Sequence, residues 1–465
     1  MAATNNFAAS SSGMSAAPGF MAAADRIQPW TRDPRYWQYR RDPVLLVGGS
    51  KEDNLFQIDA LEQHLDEMAS VGANYIRNTM SDRDPGDVRA FLRRGDGLYD
   101  LEQWNPEYWE RFANMLRWTA ERDIIVQIEV WDRFDHAREE WQADPYRPGN
   151  NINYTSAETG LQEEYSRHPG AFSHPFFHCV PGMPEYEPRF DTIRRYQEAF
   201  VDKLLDHTLP YGHVLYCMNN ETSDAPAWGR HWIRFIQRRA AAIGVSAYTT
   251  DMFDNWWRAE DNESLRTVMG DPATYSFVDI SQVNSRNFGQ THWDRCQWLL
   301  ERAHAHPRPV NTTKVYGSGY KGFGTGGPED GVERLLRNLL GGCAGARFHR
   351  PDAGNGLNQY ARNAIQAVRQ LERHVRLWTV EPHMELLSDR ADNGAYAAAD
   401  PGTGYVVYLT YGGRVTLDLS ACSGPMRLRW ISVAEGREVG EPVAIGPGAV
   451  DLRTMASGGW LAAIT

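Results

Sequence analysis

The chain has 465 residues, more than one ordinary domain needs and enough for a barrel of about 250 or more residues followed by a smaller unit. With 42% hydrophobic and 23% charged residues, its composition is that of a folded protein and not of a disordered one. Its 60 acidic and 48 basic residues give a net charge of -12, which argues against non-specific nucleic-acid binding, because that needs a basic surface to neutralise phosphate.

The first 25 residues are rich in Ala, Ser, Asn and Met and lack a basic segment followed by an apolar run, so they read as a disordered leader and not as a signal peptide. The alternation that follows begins near residue 43. Val44 to Val47 is the first expected strand, and Ile58, Leu61, Leu65 and Met68 then share one helical face. Ala73 to Asn78 is the second strand. Asn105-Pro106 opens a helix as N-cap and first-turn proline, with Tyr108, Phe112, Met115 and Leu116 on its apolar face. Ile124 to Val130 is the third strand, ending in Trp131-Asp132. A long insertion over 135–188, rich in Pro, His, Tyr and Phe, follows it, and an insertion of that length in a compact unit implies a role.

A helix near 190–206 leads to strand four, Val214 to Met218. Strands five to eight are expected at Ser246 to Phe253, Ser276 to Val283, Pro309 to Tyr316 and Ala346 to His349. A last helix carries Ile365, Val368, Leu371 and Val375. Eight strands separated by helices predict an α/β fold, a (β/α)8 TIM barrel over 26–380. After 380 the texture changes to short strands between Gly- and Ser-rich turns, at Tyr405 to Leu409, Arg414 to Leu417, Met426 to Trp430 and Trp460 to Ile464, which predicts a small antiparallel β-sandwich over 381–465.

In such a barrel the chemistry sits at the C-terminal ends of the strands. Those positions offer Arg77 and Asn78, Trp131 and Asp132, Asn219, Asn220 and Glu221, Asp251 and Asp254 followed by Trp256-Trp257, Asp279, Gln282 and Asn284, Lys314 and Tyr316, and His349, Arg350 and Asp352. The set is rich in groups that recognise hydroxyls and carboxylates. Sixteen tryptophans and 21 tyrosines add flat faces that suit sugar stacking, although large aromatics also fill cores.

The segment Val214-Leu215-Tyr216-Cys217-Met218-Asn219-Asn220-Glu221 resembles strand four of the clan A glycoside hydrolases, in which an Asn-Glu pair ends that strand. The resemblance implies that Glu221 is the general acid/base and that Asn220 contacts the sugar 2-hydroxyl. Arg77 resembles the supporting arginine of that clan. The two-part plan is similar to its apiosidase-like subset, whose members carry a C-terminal domain often labelled collagen-binding. The resemblance thus implies a carbohydrate substrate, with Arg77, Trp131, Asp132, Asn219, Asn220, Trp256, Asn284, Tyr316, His349 and Arg350 as its contacts. It also favours a secreted or periplasmic location.

Strand seven departs from that pattern. It reads Pro309-Val310-Asn311-Thr312-Thr313-Lys314-Val315-Tyr316, with Lys314 where a retaining enzyme of the clan places its nucleophilic carboxylate. A lysine beside Glu221 lowers its pKa and suits a base better than an acid. Three readings follow: an inverting glycoside hydrolase whose second carboxylate comes from Asp251, Asp279 or Asp132; a polysaccharide lyase in which Lys314, Arg350 or Arg77 neutralises a uronate; or a barrel that only binds sugar. Lys314 as the structural ion-pair partner of Asp279 is the bland alternative. The glycine-rich segment Gly317 to Gly327 reads as a lid. The five scattered cysteines suggest neither a zinc site nor a disulfide framework, and Pro175 between His174 and His178 argues against a helical metal pair, so no metal or other cofactor is expected. No run of about 18 apolar residues is present, and no membrane span is expected.

Overall fold

The computed structural model describes residues 20–167, 173–258, 260–317, 324–351 and 355–465. His168, Asp352, the side chain of Trp257, most of the glycine-rich segment after Gly317 and residues 1–19 of the leader lie outside the described residues.

Strands and helices alternate as β1 (Leu46–Ser50), α1 (Leu61–Ser70), β2 (Tyr75–Thr79), α2 (Pro106–Glu121), β3 (Ile125–Trp131), α3 (Asp191–Thr208), β4 (Val214–Asn219), α4 (Ala227–Ala242), β5 (Thr249–Thr250), α5 (Glu263–Gly270), β6 (Val278–Asp279), α6 (Gly289–His304), β7 (Val310–Tyr316), α7 (Pro328–Leu340), β8 (Gly345–His349) and α8 (Gln359–Leu371). Parallel ladders join β2, β3, β4 and β5, and join β6, β7, β8 and β1. Both seams are bonded. Asn74 N donates to Val47 O (2.8 Å), and the Ser276 hydroxyl accepts from Thr249 N (2.7 Å) and donates to Thr249 O (3.3 Å). The eight strands therefore close into a (β/α)8 barrel.

Local chemistry explains where the elements begin and end. Asn105 caps α2, its side chain accepting from Glu107 N (3.1 Å), and Pro106 takes the first helical position, where a missing N–H costs nothing. β1 starts two residues later than the apolar run, because Val44 belongs to a preceding antiparallel sheet, and it continues through Gly48. A Cβ at Gly48 would lie 1.9 Å from Tyr75 O, so only glycine permits the approach of β1 to β2. β5 and β6 are two residues long instead of eight. At each, an aspartate side chain takes over the following backbone N–H: Asp251 accepts from Met252 N (2.9 Å) and Asp279 from Ser281 N (2.8 Å). Such Asx contacts compete with the ladder, and after β6 they lead into a 3-10 turn over Ser281–Asn284.

The N-terminal end of the barrel is plugged. A three-stranded antiparallel sheet (Gln28–Pro29, Trp37–Tyr39, Asp42–Val44) inserts Trp37 among Leu46, Tyr75, Ile125, Leu215 and Phe277. The indole N–H of Trp37 donates to Asn311 Oδ1 (2.9 Å). The insertion after β3 packs Trp141, Tyr146, Phe176 and Phe177 into the main core. Within it Pro175–His178 does form one helical turn, contrary to the expectation from Pro175, because proline there is the first residue and His174 is the cap outside it. His174 Nδ1 accepts from Phe176 N (3.2 Å), so the two histidines do not share a helix face.

Beyond the barrel, a six-stranded and a three-stranded antiparallel sheet share an apolar core that includes Val407, Leu409, Leu417, Trp430 and Leu452. The alternate residues Val406 and Tyr408, with Ile431 and Val433, face the barrel helices, as the two-residue strand period requires. Trp293 of α6 meets Tyr396 (centroids 4.9 Å apart), and Asn363 of α8 donates to Ala434 O. All five cysteines are buried thiols. Among the described residues no helix is long and apolar enough to cross a membrane.

Candidate active site

At the C-terminal end of the barrel, side chains from five strands or their following loops meet in one ionic network. Arg77 at its centre is 1% exposed and donates to Glu129 Oε1 (2.6 Å), Asp53 Oδ1 (2.5 Å) and Asn220 Oδ1 (2.8 Å). Asn220 donates to Asp132 Oδ2 (2.8 Å), which also accepts from Arg83 (2.7 Å). Asp53 accepts from Arg350 (3.0 Å), and His349 Nε2 lies 3.7 Å from it. Burial raises the pKa of both carboxylates. At Asp53 the charges of Arg77, His349 and Arg350 outweigh it and hold the group well below the usual range, whereas at Glu129 burial prevails over Arg77.

Lys314 joins this network to Glu221. Its ammonium donates to Asn220 Oδ1 (2.6 Å) and Glu221 Oε1 (2.5 Å). Lys314 is nearly buried, while the Glu221 side chain keeps 25% of its surface exposed. Burial alone would raise the Glu221 pKa. The neighbouring ammonium, with hydrogen bonds from Lys314 and Gln282, outweighs that and brings it down to about 2. Burial likewise opposes the Lys314 charge, but Glu221 holds its pKa above the ordinary lysine value. Both groups are therefore ionised at neutral pH. Glu221 has φ of 61°, and Arg286 and Arg350 share this left-handed conformation at 60° and 52°. Side chains other than glycine adopt it at a cost, and such strain gathers at functional sites.

A cleft of about 570 Å³ opens above this pair, lined by Glu221, Asp254, Gln282, Ser285, Arg286, Lys314 and Tyr316. Asp254 comes next to Glu221 because the chains on either side are bonded. Thr222 bridges Phe253, and Asp254 N donates to Thr222 O (2.9 Å). Asp254 pairs with Arg133, yet burial, aided by the Glu221 charge, raises its pKa above the ordinary carboxylate value. The two carboxyl groups of the cleft thus have acidities displaced in opposite directions.

Of the residues expected from sequence, the structure brings Arg77, Asp132, Asn220, Glu221, Asp254, Gln282, Lys314, Tyr316, His349 and Arg350 to this end of the barrel. The others have different partners. Asp251 packs on Gly229 of α4, outside the strands, where Asn219 donates to it (2.8 Å) and burial pushes its pKa up to about 7. Asn219 also accepts from the Trp228 indole (3.1 Å). Asp279 points into the sealed barrel interior, accepting from Gln127 (2.7 Å) and Thr313 (3.1 Å), and makes no ion pair with Lys314. Neither aspartate lines the cleft. Trp131 turns into an aromatic cluster with Phe176, Trp228 and Trp232, and Trp256 stacks on Phe253 and donates to Ser264 (3.2 Å). Asn284 is buried, donating to Thr312 (2.6 Å) and accepting from Asn338 (2.9 Å). Neighbouring elements claim the polar atoms of Trp256 and Asn284, and aromatic rings cover the faces of Trp131.

Asp53, Arg83 and Glu129 were not singled out from sequence. Glu129 carries a readable signal. In β3, Gln127 and Glu129 alternate with Val126, Ile128 and Val130, which marks a polar inner face. Asp53 and Arg83 lie in loops, where no period exists to flag them. Among the described residues no group of three or more His, Cys, Asp or Glu side chains is arranged to hold a metal ion.

In fold the chain is similar to the crystal structure of a family 5 glycoside hydrolase from Bacteroides vulgatus, at 12% identity and a TM-score of 0.63 over 96% of this chain and 95% of that one. It is also similar to a second glycoside hydrolase, at 13% identity and a TM-score of 0.62 over 94% and 96% of the two chains. Likeness at this identity is likeness of fold. No family model matches the sequence, and no curated protein does.

Proposed function

We propose that this protein is a glycoside hydrolase acting on an oligo- or polysaccharide, with Glu221 as base and Asp254 as acid across one cleft. The observation that carries the reading is that the two carboxyl groups line one cleft in unlike surroundings, Glu221 bonded to the Lys314 ammonium and Asp254 on the segment bonded beside it, and environments that push two acidities in opposite directions assign base and acid. In the reaction Glu221 takes a proton from water as the water oxygen bonds the anomeric carbon. Asp254 gives its proton to the departing glycosidic oxygen as the carbon–oxygen bond breaks. This is inversion, and it answers the absence of a carboxylate on β7. Lys314 keeps Glu221 ionised, and Asn220, itself held by Arg77 and Asp132, fixes the Lys314 ammonium beside it. Within the barrel hydrolases, the apiosidase-like subset is the proposed affiliation, supported by the sheets that follow the barrel.

A second reading, elimination from a uronate, has one observation in its favour. Two cations, Lys314 and Arg286, line the cleft and would neutralise a carboxylate beside the carbon that loses its proton. Assays on neutral and uronate-containing glycans, following reducing ends together with the ultraviolet absorbance of unsaturated uronates, separate the two. Reducing ends without absorbance support hydrolysis, and both signals rising together overturn it. Asp254→Asn tests the acid. Turnover of substrates with poor leaving groups should fall far more than turnover of activated aryl glycosides.

A further inference from the structure

Where the C-terminal sheets meet the barrel, a groove of about 1120 Å³ runs between α7, α8 and the turn after Gly404–Leu409. Its walls carry two exposed aromatic rings, Tyr360 at 46% and Tyr411 at 57% exposure, among the large exposed apolar side chains of the chain. Both rings are held. The Tyr411 hydroxyl accepts from Asn393 (2.6 Å), and the Tyr360 hydroxyl is hydrogen-bonded to Glu329. Polar groups at the walls are Glu329, Glu333, Gln359 and Asn363. Fixed flat rings with a few hydrogen-bonding groups beside them form a surface that takes an amphipathic ligand with apolar faces and a hydroxyl-bearing edge.

Charge narrows the ligand class. Glu333 pairs with the buried Arg337 (2.8 Å), and Glu329 contributes a further negative charge at the wall. No lysine or arginine lines the groove among the described residues. An anionic polymer would be repelled, while the hydroxyls of a neutral sugar can donate to the carboxylates. Position gives the groove a purpose. Glu329 and Tyr360 lie in the first turns of α7 and α8, which follow β7 and β8, so the groove opens at the same end of the barrel as the cleft.

We propose that this groove is an accessory binding site for a neutral glycan chain, stacking sugar faces on Tyr360 and Tyr411. The proposal rests on the carbohydrate reading of the cleft, and the test separates the two. Affinity electrophoresis of the Glu221→Gln protein in gels of neutral polysaccharides, without and with Tyr360→Ala and Tyr411→Ala, reads binding. Turnover of a short aryl glycoside by the same tyrosine variants with Glu221 intact reads the cleft. The double variant should bind the polysaccharide about tenfold or more weakly, the loss of roughly 1.4 kcal/mol, with aryl glycoside turnover unchanged. Unchanged polysaccharide affinity with turnover intact overturns the groove and leaves the hydrolase reading standing. Tighter retention by a uronate polymer than by neutral ones, abolished in the double variant, also overturns the neutral-ligand assignment. Failure of the parent chain to bind or turn over any glycan overturns both.

Discussion

Replacing Lys314 by methionine keeps most of the side-chain volume and removes the ammonium beside Glu221. In the wild-type protein that ammonium, 2.5 Å from Oε1, is the chief influence opposing burial, and the result is a Glu221 pKa of about 2. Without it, burial prevails and the pKa returns to the ordinary 4.5 or above. That change is worth on the order of 3 kcal/mol in favour of the protonated form, at about 1.4 kcal/mol for each pKa unit. The sign for stability follows. A carboxylate whose folded pKa is depressed stabilises the fold above its unfolded value of 4.5 and loses that contribution as pH falls through 4.5 towards 2. Lys314→Met should therefore be less stable than wild type at pH 7, and the gap should narrow on acidification.

Carboxyl 13C chemical shifts of the glutamates, with the Glu221 signal identified by its loss in Glu221→Gln, give the pKa directly and need no substrate. The expected result is a signal flat down to pH 3 in wild type and titrating above pH 4 in Lys314→Met. A Glu221 signal that titrates at the same pH in both proteins refutes the argument that the lysine sets this acidity.

Glu221→Gln should lower turnover by about 10²–10⁴-fold, the usual worth of a positioned acid or base, while glycan binding persists; retained turnover in steady-state assays sinks the assignment. Arg77→Met leaves Asp53 and Glu129 without their shared partner, and a urea melt at pH 7 should show a loss of about 3–5 kcal/mol, part of it recovered in Arg77→Met/Glu129→Leu. Asp251→Asn should leave turnover intact, since Asp251 packs on α4 and not in the cleft. Its folded pKa of about 7 lies above the ordinary 3.8, so wild type loses stability as pH rises from 3.8 through 7, and the variant should remove that decline in melts across this range.

The periodic parts of the fold were legible in the sequence. The spacing of Leu61, Leu65 and Met68 and the Asn105-Pro106 start define α1 and α2 as found. The short strands were less legible. At β5 and β6 the residues have strand character, but Asp251 and Asp279 divert the backbone, and a side-chain-to-backbone contact leaves no trace in apolar periodicity. For the site, position at a strand end located Arg77 and Lys314, whose charged side chains meet partners from other strands across this end of the barrel. Other strand-end side chains turn away from the cleft. Asp251 accepts from Asn219 and packs against Gly229 of α4, and Trp131 meets aromatic rings of the insertion and α4, contacts that depend on how distant segments dock.

The network also explains why a lysine on β7 is more than a missing carboxylate. Asn220 uses its carbonyl oxygen to accept from both Arg77 and Lys314, and its amide to donate to Asp132. A carboxylate at position 314 would confront that carbonyl oxygen with an acceptor and add negative charge to Asp53, Glu129, Asp132 and Glu221, which are balanced by Arg77, Arg83, Arg350 and Lys314 itself. Lys314→Glu would thus change the buried charge by two and take from Asn220 one of the two donors to its carbonyl oxygen, so it should destabilise the fold and not install a retaining pair. Chemistry in this cleft therefore has to draw its second carboxyl group from elsewhere. Apart from Glu221, Asp254 is the carboxyl group lining it among the described residues, and the two have acidities displaced in opposite directions: Glu221 lies beside the lysine and is lowered, whereas at Asp254 burial and the Glu221 charge outweigh the Arg133 partner and raise it.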